Sequence, residues 1–147
     1  FEGDAQEVFE QYKEHFPRED LQVSAFLEIT GPFNASDYET LRELADAFGN
    51  AGLESVRWIG ATDFTEEVII DGERTVEVVR LENQSEISDS TLRAIVEPRS
   101  QHPLLVGTLW NQDLSVFGVH GFLAPDQNND VRRRQVTAAL QGTIADF

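Results

Sequence analysis

The chain has no cysteine and no methionine, and Lys13 is its single lysine. Without cysteine there is no disulfide scaffold, no iron–sulfur or cysteine-based zinc site and no thiol nucleophile. No run approaches the roughly 18 apolar residues that cross a bilayer as a helix, and no stretch has the pattern of a signal peptide. Basic charge is scarce: 27 Asp and Glu stand against 11 Lys and Arg, a formal net charge of −16. Arg132-Arg133-Arg134 is the one basic run. So negative a surface repels a phosphate backbone, which argues against nucleic-acid binding; the acidity reads as a solvated face that suits solubility and tolerance of salt. Gly107, Gly118 and Gly121 stand singly rather than in a phosphate-cradling loop, and there is no GxSxG.

What remains is a folding sequence. Forty per cent of its 147 residues are hydrophobic and 10% aromatic, enough for one domain over residues 1–147 with a real core. Beginning on Phe1 and ending on Phe147, it is expected to be a piece excised from a longer membrane protein. Val8, Phe9, Tyr12 and Phe16 form one apolar stripe, predicting a helix over Asp4–Phe16 that Pro17 ends. Leu21, Val23, Ala25, Leu27 and Ile29 alternate with mostly polar residues, as in a half-buried strand. Ser36 and Glu39 have the spacing of a capping box at the start of a helix that Gly49 and Gly52 stop, and a strand over Leu53–Ile59 follows. Strand, helix and strand with brief joins predict a βαβ unit. Asp71-Gly72, between Val68–Ile70 and Thr75–Leu81, predicts a hairpin. A helix is expected at Ser90–Glu97, a second hairpin from Leu104–Trp110 and Leu114–Leu123, and a last helix over Asn129–Asp146 capped by Asn128 or Asn129. The fold class expected is α+β: a mixed, mainly antiparallel sheet with helices on one face.

Catalytic equipment is thin. His15, His102 and His120 have no second histidine or carboxylate at ligand spacing, and His120 in mid-strand reads as a packed side chain satisfied by a partner. Asp63, Glu66 and Glu67 cluster, as do Asp126 and Asp130, but clusters are expected by chance among 27 acids. Asp126–Asp130 also lacks the glycine and distant Glu of a calcium loop. No catalytic residue, metal or cofactor is expected, and the chain is not read as an enzyme. Trp58, Phe64, Trp110, Phe117 and Phe122 come from elements that the sheet could bring together. They read either as core or as the lining of an apolar cleft that accepts a lipid-like molecule.

Three stretches, HFPREDLQVSAFLEI, NASDYETLRELADAFGNAGLESVRWIGATDF and HPLLVGTLWNQDLSVFGVHGFLA, occur in an order that resembles the first large periplasmic loop of resistance–nodulation–division (RND) transporters, in the branch of predicted lipid exporters related to hopanoid and mycobacterial lipid transporters. The similarity is carried by Phe16-Pro17, Leu41 and Leu44, Gly52 through Val56, Thr62-Asp63, and Pro103, Leu104, Gly107, Leu109 and Asp113, and spans about residues 15–147. The Asp71-Gly72 hairpin has no counterpart in the pattern. The resemblance implies a porter subdomain of ferredoxin-like type, on the periplasmic side of an inner-membrane protein that is driven by the proton gradient, its oligomeric state left open. It implies capture of a hydrophobic cargo, such as a sterol, hopanoid or other lipid, with Trp58, Phe64, Trp110, Phe117 and Phe122 as candidate contacts. A second expectation is a protein-interaction or assembly module whose acidic surface meets a periplasmic partner; a third is an enzyme working through His120 or a carboxylate.

Overall fold

In the computed structural model, residues 21–145 are described. The helix expected over Asp4–Phe16, with His15, lies outside them. The elements are β1 (Leu21–Glu28), α1 (Ala35–Asn50), β2 (Glu54–Arg57), β3 (Phe64–Ile70), β4 (Glu73–Val79), α2 (Asp89–Val96), β5 (Val116–Leu123) and α3 (Asp130–Ala145), with short 3-10 turns between several of them. The fold is α+β, as the patterning predicts.

β1, β5 and β2 form a three-stranded sheet in that order, β5 antiparallel to both neighbours. β1 and β2 therefore run in the same direction, joined through α1, but do not touch; the last strand separates them. This is a split βαβ unit, and the parallel pair that the short joins suggest is opened by β5. On one face β1 and β5 present Val23, Ala25 and Leu27 beside Gly121, Val119 and Phe117. Here α1 packs with Tyr38, Leu41, Leu44, Ala45 and Phe48, all buried. α3 lies against α1, and Arg132 Nη2 donates to the Ala51 carbonyl at 3.0 Å where α1 ends.

The start of α1 corrects the expected cap. Asn34, not Ser36, is the N-cap: its side chain accepts from Asp37 N at 3.0 Å while Asn34 N donates to the Asp37 carboxylate at 3.1 Å. Asn34 to Asp37 offers the same three-residue reciprocity two positions earlier. Phe33, stacked on Phe117 with ring centroids 4.0 Å apart, holds the chain just ahead of that start. Asn129 caps α3, accepting from Arg132 N at 2.9 Å.

Leu104–Trp110 is not a strand. Leu105 N and Val106 N both donate to His102 O at 3.0 Å, and Leu109 N donates to Leu105 O at 2.9 Å, so the segment winds into turns. Gly107 takes a left-handed φ of 87°, and only Trp110 bridges to Phe117 in β5. Pro103 withholds a ladder donor and favours a turn, which defeats the strand propensity of the leucines around it.

β3 and β4 form a separate two-stranded sheet. Asp71 (φ 52°) and Gly72 (φ 81°) are both left-handed, the type I′ geometry that matches the twist of a tight hairpin. Its base is anchored by buried Phe64, under the Arg99 guanidinium at 5.3 Å, and by half-buried Val79.

Candidate functional site

The five aromatic residues expected to line a cleft are found mainly in the packing of the body. Trp58, Phe64, Trp110 and Phe117 are all at most 4% exposed. Trp58 packs on Tyr38 at 5.3 Å, and burial pushes the Tyr38 phenol up to about 12. Trp110 lies 6.0 Å from Phe117 and donates its indole N–H to Ser100 O at 3.2 Å. Phe122 is half-buried on the opposite face of β5, with the Arg57 guanidinium 5.3 Å over its ring. Trp110 and Phe117 meet directly, and Phe33 stacks on the other side of that contact; Trp58 and Phe64 belong to the same buried core, while Phe122 lies on the other face of the sheet.

That shared stack ends at the surface. Phe33 lines a groove of about 300 Å³ with Gly31, Pro32, Leu92, Val96 and Leu114, rimmed by Arg93, Glu97 and Asp113. The groove forms because Gly31 (φ 81°) and Leu114 (φ 59°) turn the chain sharply side by side at the Glu28–Val116 end of the β1–β5 pair, leaving α2 to close the third side. Asp113 Oδ1 accepts from Ser115 N at 3.2 Å and from the Ser115 hydroxyl at 2.5 Å, which holds its carboxyl below the usual carboxylate range. The arrangement is an apolar floor with a charged rim, able to hold an apolar group at a polar boundary. No sequence motif singles out Phe33, Leu92, Val96 or Leu114. The available signals were Gly31-Pro32 and the Asn111-Gln112-Asp113 turn, which mark two sharp reversals without saying that they adjoin.

The sheet face away from α1 carries a buried polar chain. Ser24 and His120 are cross-strand partners, 2% and 5% exposed. His120 Nε2 lies 2.6 Å from Thr108 O; a carbonyl cannot donate, so Nε2 carries the proton. Nδ1 then accepts from the Ser24 hydroxyl at 2.7 Å and from Gln22 Nε2 at 3.3 Å. Burial, aided by the Arg57 charge and opposed by the Thr108 carbonyl, pulls the His120 pKa down. The ring is a neutral tie between β1, β5 and the turns at 104–110. At Gly118 an added Cβ would lie 2.9 Å from His120 Nε2 and 3.1 Å from Thr108 O, so this tie requires glycine there.

The acidic clusters do not converge. Asp63 pairs with Arg80 at 2.8 Å, Glu66 is 4.0 Å from Arg99, and Glu67 points from the other face of β3. Asp130 pairs with Arg133 in the first turn of α3. Among the described residues no group of three or more His, Asp or Glu side chains gathers to hold a metal, and no helix is long and apolar enough to cross a membrane. His102 stays in a loop, its Nδ1 accepting from Leu104 N at 3.2 Å. Comparison with known protein families, with curated proteins and with solved structures gives no match to this chain.

Proposed function

We propose that the chain is the periplasmic, substrate-capturing domain of a proton-driven RND-type inner-membrane transporter, and that its cargo is hydrophobic, a lipid such as a sterol or hopanoid. One observation carries the reading. The two resembling stretches that lie wholly among the described residues build one contiguous unit: α1 and β2 come from the second, and the turns at 104–110 and β5 from the third. β1 comes from the stretch before them, and the hairpin outside the pattern stands outside this sheet.

The geometry favours the Phe33 groove over the buried aromatics as the place where cargo is met. Trp58, Phe64, Trp110 and Phe117 are enclosed and would touch cargo only if the core opened. The groove is open and joined to Trp110 by the Phe33–Phe117–Trp110 stack. Trp110 can therefore report on the groove without lining it. In a Trp58→Phe chain, titration with a sterol, a hopanoid and a phospholipid is expected to give a saturable change in Trp110 fluorescence for at least one of them. Leu92→Lys, at the groove floor, is expected to abolish the change. No saturable response to any of the three contradicts the cargo reading.

A second reading, an interaction or assembly module, is favoured by the hairpin. There Ile69, Val76 and Val78 are 75%, 64% and 64% exposed.

A further inference from the structure

The β3–β4 hairpin is held at its base, and beyond it most of both faces and the edge of β4 lie open to solvent. Its cross-strand pairs place Thr65, Glu67 and Ile69 beside Val78, Val76 and Arg74 on one face. Every one of these residues is exposed. Large apolar side chains held in water on a regular strand are an unpartnered surface and not a core. A two-stranded ribbon is also marginal in water by itself.

The hydrogen-bond register shows which edge is free. Across a two-residue turn the closing pair, Ile70 and Glu73, is the hydrogen-bonded kind, so alternate pairs down the ladder are too. The backbone groups of Arg74, Val76 and Val78 on β4, and of Thr65, Glu67 and Ile69 on β3, therefore point outward. On β3 this is visible directly: Arg99 Nη2 donates to Thr65 O at 2.6 Å and blocks that edge at its base. Among the described residues no backbone group of Glu73–Val79 bonds to anything outside the hairpin. β4 is open along its whole length while β3 is closed at its base, and open edges of this kind take up another strand.

Charge selects the occupant. The segment 64–79 carries five carboxylates and one guanidinium, within a chain of net charge −16. A second copy or an anionic lipid surface brings the same sign. On β4 the alternation divides the two chemistries: Val76 and Val78 face one way, Glu73 and Glu77 the other. A strand laid along β4 thus meets valines on one face and carboxylates on the next.

We propose that β4 accepts an extended segment of a partner protein in which apolar residues alternate with Lys or Arg, adding a third strand to the hairpin. The apolar residues cover Val76 and Val78, and the cations meet Glu73 and Glu77. Arg74 sits at the turn end of the apolar face and sets the limit of the cationic register. This docking stands independently of the transporter reading.

The test uses a labelled short peptide alternating lysine with valine, read by fluorescence anisotropy at ~150 mM salt, where long-range attraction is screened. Saturable binding is expected. Methylating alternate backbone nitrogens of the peptide removes ladder donors but keeps its charge, and is expected to weaken binding by about tenfold or more. Val76→Thr/Val78→Thr, in exposed positions that threonine suits, is expected to weaken it similarly with an unchanged melting temperature. The methylated peptide needs no variant chain, so that comparison survives any folding defect. Absence of binding, or equal binding by the methylated peptide, overturns the proposal. So does self-association of the parent chain, or its adsorption to phosphatidylcholine vesicles, if the double variant abolishes it.

Discussion

β5 and β4 are both rich in β-branched or aromatic residues, yet Phe117, Val119 and Leu123 on β5 are fully buried while Val76 and Val78 on β4 are each 64% exposed. The difference lies in what the rest of the chain supplies to each. β5 is flanked by a strand on either side and covered by α1 on one face and by the turns at 104–110 on the other. The hairpin has one anchor, at its base, and extends from it into solvent. The same strand chemistry therefore serves cohesion in one sheet and recognition in the other.

The contrast breaks most severely at Phe117, which joins the helix face, the Phe33 stack and Trp110. Phe117→Ala is expected to cost about 3–5 kcal/mol in a urea-unfolding experiment, since a buried ring leaves a cavity that neighbours fill poorly. It is also expected to disturb Trp110 fluorescence. A loss below 1 kcal/mol would show that the body is not organised around this ring.

On the other face the effect depends on pH. Because the folded state holds His120 below its ordinary pKa, the unfolded chain takes up a proton first as pH falls. The contribution is nil above the unfolded value of about 6.5, and stability declines as pH drops from there toward the folded value. His120→Gln is expected to lower stability at pH 7 but to flatten this slope between pH 7 and 5. An unchanged slope would place the titration elsewhere.

Smaller still is the cap of α1. Asn34→Ala is expected to cost about 1 kcal/mol, while Ser36→Ala is expected to change little. The reverse order would restore the cap that the sequence pattern suggested. Smallest is the hairpin: Val76→Thr is expected to stay within about 0.5 kcal/mol of the parent, because Val76 is an exposed strand residue.

These sites also mark what was readable in advance. The Asp71-Gly72 turn was legible because its two left-handed positions need those residue types locally. α1 was legible in extent but not in its first residue, since Asn34/Asp37 and Ser36/Glu39 satisfy the same pattern and a distant ring, Phe117, favours the first. The turns at 104–110 were misread as a strand, because Pro103, Gly107 and the His120 contact outweigh local propensity. The order of β5 between β1 and β2 depends on pairing across about a hundred residues, which no local signal encodes. The candidate aromatics come from several elements, and sequence alone could not separate buried rings from a lining. Phe33, which does line a groove, carried no periodic signal of its own.

The division between a closed body and an open hairpin is tested most directly by native-state hydrogen exchange. The ladder amides of β1 and β5 are expected to exchange only through global unfolding, and those of β3 and β4 through a local opening of much lower free energy. If the hairpin amides prove as protected as those of β5 in the isolated chain, the hairpin is part of the body's cooperative unit and the account fails.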